Sequence, residues 1–443
     1  MQAYPRLARL LAAELLTGPL TQAELAARGA AFLERRPRWL APLARRIVAR
    51  FGAGARPRQY LLGRFIFWDP GFASDLIQYR RPHRRRLHVH PAMQPAAGPP
   101  AQWAVPAITT PGELARRLNL DLNELAWFAD TRTLEAKVPD NCLRHYHYRW
   151  LVKRHGGARL IESPKQRLKA LQRHILSTIL DRIPPHPAAH GFRAGRSVRS
   201  FTAPHIGRVM VLRLDLQDFF PTIQRSRILG IFLTAGYPEA VAELLTGLCT
   251  NTAPAGVLTA HLRAAGVPAA AARARRQLYQ RPHLPQGAPT SPALANLAAF
   301  RLDCRLAGYA KSSGVHYTRY ADDLVFSGGE EFRRGVERFY VAVCAIALEE
   351  GFPVQTRKTR VMGRSVSQRA AGVVLNEKPN LPRTERDALK ALLHNCLRHG
   401  PASQNRDGHP DFQAHLAGRL AHLATLNPLQ AARLRRDFER IVW

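Results

Sequence analysis

The sequence predicts an α+β fold preceded by a helical N-terminal extension, and three observations carry that reading. An apolar, β-branched run, VMVLRL, ends on Asp215 in the manner of a buried strand. A second stretch, HYTRYADDLVFSG, sets Asp322 and Asp323 side by side between two runs that each suit a β-strand. Segments at both ends of the chain instead repeat Leu, Ala and Ile at helical spacing.

Taken in order, residues 1–78 read as helices with a basic face, as in LTQAELAARGAAFLERRPRWLAPLARRIVARF. The dense basic run YRRPHRRRLHVHP and the following AMQPAAGPPAQ argue against regular structure and place a linker over 79–106. The basic run is either a solvated segment or an arm that grips phosphates. Next, TTPGELARRLNLDLNELAWFAD predicts two short helices, with Thr110 as N-cap and Pro111 at the first helical position. The character then changes to mixed helix and strand: a strand at YRWLV, a turn at KRHGG and a strand at ARLIES. A helix is expected to open at Ser163-Pro164 with Leu168, Leu171, Ile175 and Ile179 on one face. The segments RTERDALKALLHNCLRH, FQAHLAGRLAHLATL and LQAARLRRDFERIV read as helices within 376–443. No internal repeat is visible.

The 443 residues suffice for a substantial core divided among several structural units. Lys and Arg number 66 against 32 acidic residues, a formal charge of +34. A genome bias toward arginine accounts for part of this but not for the shortage of acids. A polyanion, and nucleic acid above all, is the simplest partner for such a field. Cys142, Cys249, Cys304, Cys344 and Cys396 are scattered without CxxC or zinc spacing, which argues against a disulfide framework or zinc finger. Neither a cleavable leader nor a stretch of transmembrane length is evident, so the expectation is a cytoplasmic protein with no membrane partner.

The paired aspartates have two readings. Asp is common in hairpin turns. A turn alone, however, would be satisfied by Asp-Gly, whereas Asp322 and Asp323 run directly into Leu324, Val325 and Phe326. Adjacent like charges repel unless a cation lies between them, and hard divalent cations prefer carboxylate oxygens. Asp215, with Asp218 three residues on, is equally expensive at the end of an apolar strand unless paired or metal-bound. Were Asp215 and the 322/323 pair on adjacent antiparallel strands, three carboxylates would suffice for two Mg²⁺ ions about 4 Å apart, an arrangement suited to in-line phosphoryl transfer.

The segments GGARLIESPKQRLKALQRHIL, AHGFRAGRSVRS, VLRLDLQDFFPTI, LPQGAPTSPALANL, YTRYADDLVFSG, GFPVQTRKTRVM and GVVLNEKPNLPR follow the order of the conserved blocks of reverse transcriptases. The match, over roughly 110–443, most resembles the bacterial retron type. That resemblance implies a right-hand polymerase, with fingers and a palm built on an antiparallel sheet over 107–375 and a helical thumb over 376–443. It makes Asp215, Asp322 and Asp323 ligands of two Mg²⁺ ions. Phe220 becomes either the steric gate against a ribonucleotide 2′-hydroxyl or a core residue. Gln286 would line the incoming nucleotide, with Gly287 and Pro289 shaping its turn. Lys153 and Arg159 are either triphosphate contacts or surface charges, and Lys358 serves either the leaving group or a backbone phosphate. Arg196 and Arg383 would touch RNA.

The implied partners are a structured non-coding RNA, its DNA copy, deoxynucleotides and an effector protein encoded nearby, and the implied setting is anti-phage defence. The chain departs from the family in reading TAPH where many members have NAxxH, AAG for VTG, and Gln355 for an Asn. Those elements are tied to the family's own RNA, so other bacterial reverse transcriptases, and a non-catalytic RNA-binding scaffold, stay open as alternatives.

Overall fold

A computed structural model of the chain describes residues 3–33, 35–53, 57, 59–78, 103–137, 143–152, 158–264 and 269–443. The chain divides into two compact units, 1–92 and 93–443.

The first unit consists, among the described residues, of helices Ala3–Leu15, Gln22–Leu33, Leu40–Phe51, Gln59–Phe67 and Pro70–Gln78. Its core joins Ala8, Leu11 and Leu15 to Leu43 and Ile47 and to Leu62 and Ile66, side chains three or four residues apart on single helical faces. Asp69 opens the last helix, its carboxylate accepting from the amides of Gly71 at 3.0 Å and Phe72 at 3.2 Å and from Arg46 Nε at 2.9 Å. The expected basic run, 79–91, lies outside the described residues.

In the second unit, Thr110 caps helix Pro111–Arg117, its hydroxyl accepting from the Glu113 amide at 3.1 Å, with Pro111 in the first helical turn. Asp121 and Glu124 form a capping box on helix Leu122–Ala129. Strands β1 (Tyr146–Val152) and β2 (Ala158–Pro164) then pair antiparallel, and the turn expected between them, Lys153 included, is outside the described residues. The helix expected to open at Ser163-Pro164 begins instead at Gln166. Pro164 still pairs with Tyr146, and the Lys165 amide donates to the His145 carbonyl at 2.8 Å, so the ladder carries the backbone past the anticipated cap.

A four-stranded antiparallel sheet organises the rest. It contains β3 (Met210–Asp215), β4 (His316–Tyr320), β5 (Asp323–Gly328) and β6 (Arg360–Gly363) in the order β4-β5-β3-β6. Strand side chains alternate between faces. On one face Leu212, Leu214, Leu324 and Phe326 enter a large core with Val336, Phe339 and Val343 of helix Glu330–Glu349. On the other, Val211 and Val325 join a second core with Leu389 and Leu393 of helix Arg383–His399, Leu416 and Leu420 of Phe412–Leu426, and Leu434 of Pro428–Glu439. Asp215 and Asp323 follow Val211 and Val325 in this alternation, which puts them at the strand ends on the face shared with the C-terminal helices.

Candidate active site

The hairpin reading of the paired aspartates holds. β4 and β5 form a tight hairpin whose turn is Ala321-Asp322, with Ala321 in the left-handed region at φ 55°. Asp215 ends β3 directly opposite Asp323, and the Leu216 amide donates to the Asp322 carbonyl at 2.9 Å. Three carboxylates are thereby fixed by backbone pairing on adjacent strands. The pKa of Asp322 is pushed up to about 6, first by burial and then by the charges of Asp215 and Asp323. Burial also raises Asp323, against the opposing pull of Arg213.

Two cations hold this cluster. Lys358 Nζ donates to both oxygens of Asp215 at 2.9 Å. Its short 3₁₀ turn, Thr356–Lys358, is tied to β3 by the Gln355 amide, which donates to the Asp215 carbonyl at 2.8 Å. Arg213 sits two residues before Asp215 on the same face of β3, and its guanidinium donates to Asp323 at 2.9 to 3.1 Å. Among the described residues, no three His, Cys, Asp or Glu side chains converge on one metal position. The three aspartates are neighbours in the backbone, but among the described residues their side chains do not form the expected metal position: Asp215 is turned to Lys358 and Asp323 to Arg213.

The remaining expected residues are placed as follows. Phe220, five positions beyond Asp215, is half-buried against the main core, its ring edge-on to Phe219 at 5.6 Å and to Phe192 at 6.3 Å. The Gln286 carbonyl accepts from the Glu162 amide at 2.9 Å, which seats the LPQG turn on β2. Gly287, at φ 134°, is required there, because a Cβ would fall 2.8 Å from the Glu162 carbonyl oxygen. Arg159 is on β2, opposite Leu151. Arg196 is exposed in the turn before helix Val198–Thr202, and Arg383 is exposed at the start of its helix, paired with Asp387. Among the described residues none of these side chains is hydrogen-bonded to Asp215, Asp322 or Asp323.

Several supporting residues escaped the sequence reading. Arg319 alternates with tyrosines as a surface cation would, yet it is fully buried. It donates to Asp303 at 2.6 and 2.8 Å, to Asn296 Oδ1 at 3.0 Å and to the Ala321 carbonyl at 3.1 Å, the last in the Ala321-Asp322 turn. Asn296 in turn donates to the Gly191 carbonyl at 2.9 Å, and Gly191 lies so close to the turn that a Cβ would sit 2.8 Å from the Ala321 amide nitrogen. His205 is buried behind the hairpin between Ser327 Oγ at 2.6 Å and Thr318 Oγ1 at 2.8 Å. Glu162 is buried with His283 at 2.9 Å and Asn251 at 2.8 Å, bracing β2 against the LPQG turn. Phe192, with φ 56° and an exposed ring, forms a shelf with Phe220 and Tyr320.

Comparison with known proteins agrees with this layout. Residues 151–375 match the family described as reverse transcriptase (RNA-dependent DNA polymerase). The chain is 40% identical over 340 residues to the retron Mx65 reverse transcriptase of Myxococcus xanthus, covering 76% of this chain and 73% of that protein. It is 37% identical over 309 residues to the retron Mx162 reverse transcriptase of the same organism, covering 66% and 59%. It is 32% identical over 289 residues to the retron Ec86 reverse transcriptase of Escherichia coli, covering 64% and 76%. With the matched segment spanning β2, the LPQG turn and all four strands of the central sheet, the chain belongs to the bacterial reverse transcriptases of the retron type and is an RNA-directed DNA polymerase.

Proposed function

We propose that the chain copies a structured non-coding RNA into DNA by two-metal nucleotidyl transfer, with 107–375 acting as fingers and palm and 376–443 as thumb. The observation that carries this reading is the register of Asp215 against Asp323 with Asp322 in the adjoining turn, where burial first and the two neighbouring carboxylates second hold Asp322 up at about 6. Such a cluster fits Mg²⁺: its donors are carboxylate oxygens only, and the strain on Asp322 is of the kind a divalent cation relieves. Asp215, Asp322 and Asp323 would hold the ions, which when bound supply charge to the attacking 3′-hydroxyl and the triphosphate.

The chain's own groups then divide the remaining work. Arg213 steadies Asp323, and Lys358, whose side chain is half exposed, holds Asp215 at the edge from which it reaches the leaving phosphates. Arg159 and Gln286, on β2 and the turn seated against it, flank the nucleotide. Arg196 and Arg383 meet the RNA, and Phe220 lies under the sugar. Retron membership supports a cognate RNA, a nearby effector protein and a role in anti-phage defence.

Asp323→Asn keeps the shape and removes the charge. We expect the variant to melt normally and to lose most Mg²⁺-dependent extension of a DNA primer on poly-rA. Near wild-type synthesis by a well-folded variant would return Asp323 to a turn-forming role.

A further inference from the structure

The N-terminal unit bears a surface that the polymerase reading does not use. Helix Gln59–Phe67 buries Leu62, Gly63 and Ile66 against the first helix. A Cβ at Gly63 would meet the first helix at ordinary van der Waals distance, 3.5 Å from the Arg9 Cα. Tyr60, Arg64 and Trp68 follow one another at four-residue spacing, which lines them along one side away from that buried stripe. The rings are markedly bare: Tyr60 is 59% and Trp68 75% exposed. They are also held in place. Arg64 lies over the Tyr60 ring at 5.5 Å and donates to its hydroxyl at 2.7 Å, and Trp68 stands edge-on to Phe67 at 5.2 Å.

We infer that Tyr60, Arg64 and Trp68 form a stacking ridge for unpaired RNA, giving the N-terminal unit an RNA-binding surface of its own. Charge selects the occupant. Residues 1–92 contain seventeen arginines and no lysine against five acidic residues. An acidic macromolecule is attracted to such a unit, and the planar arginine guanidinium pairs bidentately with phosphate and stacks on bases as a lysine ammonium does not. Bare aromatic rings beside guanidinium groups are the elements of sequence-tolerant single-strand binding, in which bases stack on the rings and phosphates meet the cations. Duplex RNA, with its bases paired and stacked, offers no free face to Tyr60 or Trp68.

The inference rests on RNA being a partner of the chain, and the experiment separates the two ideas. Full-length wild type, Tyr60→Ala/Trp68→Ala and Trp68→Phe are each loaded with poly-rA annealed to oligo-dT, which occupies the polymerase groove. Binding of a labelled single-stranded RNA of mixed sequence is then measured and compared with the same RNA annealed to its complement. Extension on poly-rA reports the polymerase itself, and ultraviolet crosslinking locates the bound single strand.

The double variant is expected to extend poly-rA as wild type does while losing about tenfold or more in single-strand affinity, the scale of base–aromatic stacking. Trp68→Phe should retain most of that affinity, and crosslinks should fall within 59–78. Unchanged affinity in the double variant, an equal loss for the duplex, or crosslinks confined to 93–443 would each overturn the inference. Retained RNA binding with loss of a co-purifying protein would make the ridge a protein-docking surface instead. A wild type unable to extend poly-rA would strike the polymerase reading and leave the ridge to be judged by its own binding.

Discussion

Acid should loosen the β4–β5 hairpin through His205. The Thr318 hydroxyl donates to the Phe201 carbonyl at 2.9 Å, so its oxygen is left to accept from His205 Nε2–H, and Nδ1 accepts from the Ser327 hydroxyl. The ring is thus held neutral between β4 and β5. Its pKa is lowered from 6.5 to about 3, first by burial and then by His316, Arg208 and His190. Between those values the unfolded chain binds a proton that the folded chain refuses, so stability is complete above about pH 6.5 and drains away as pH falls toward 3. At about pH 5 the loss is roughly 2 kcal/mol, or about thirtyfold in an opening equilibrium. Hydrogen exchange of the β4 and β5 amides, corrected for intrinsic rates, reads that equilibrium locally. Protection in the wild type should fall about thirtyfold between about pH 7 and about pH 5, and His205→Gln should lose most of that dependence. Equal pH profiles in the two proteins would show that His205 is not the proton acceptor and that the tautomer reasoning is wrong.

Two further predictions concern the surroundings of the carboxylates. Arg319→Met leaves Asp303 as an unpaired charge in the core and should cost about 3–5 kcal/mol, with much of it recovered in Arg319→Met/Asp303→Leu. Thermal melting of both variants checks this, and a double variant no more stable than the single one would contradict it. Phe220→Ala should raise ribonucleotide incorporation about tenfold or more relative to deoxynucleotide, since a steric conflict of about 1.4 kcal/mol already gives tenfold. Steady-state incorporation of GTP and dGTP gives the ratio, and an unchanged ratio in a destabilised protein would make Phe220 a core residue.

What the sequence made legible followed from local pattern. An apolar run that stops on Asp215 and a pair of aspartates between two strand-like runs are visible without knowing their neighbours, and the antiparallel partnership follows from bringing them together. Helices Arg383–His399 and Phe412–Leu426 were equally plain from their apolar spacing. The partners of the site were not, because each is distant in sequence. Arg319 reads as an outward residue in HYTRY until Asp303 and Asn296, on helices that precede the hairpin, are placed beneath it. Arg213 reads as solvent-facing alternation in β3 until Asp323 is found opposite its strand end. The helix start at Ser163-Pro164 failed for the same reason: a sound local cap signal was overridden by pairing with β1.

Charge is used in two opposite senses in this molecule. Over the whole chain the formal excess is +34, a field that gathers RNA and DNA by releasing their counterions whatever their sequence. At the sheet end the sign reverses: Asp215, Asp322 and Asp323 stand together, and among the described residues Lys358 and Arg213 are the cations bonded to them. A phosphate chain drawn in by the global field therefore meets local repulsion at the point where a bond is to be made. On the two-metal reading, divalent cations remove that repulsion, so binding and chemistry answer to different charges. Nucleic acid should be held by the arginine-rich surface without divalent ions, while synthesis should require them. The rise of Asp322 to about 6 comes first from burial and then from Asp215 and Asp323, and both are costs of ionisation that a bound cation would offset.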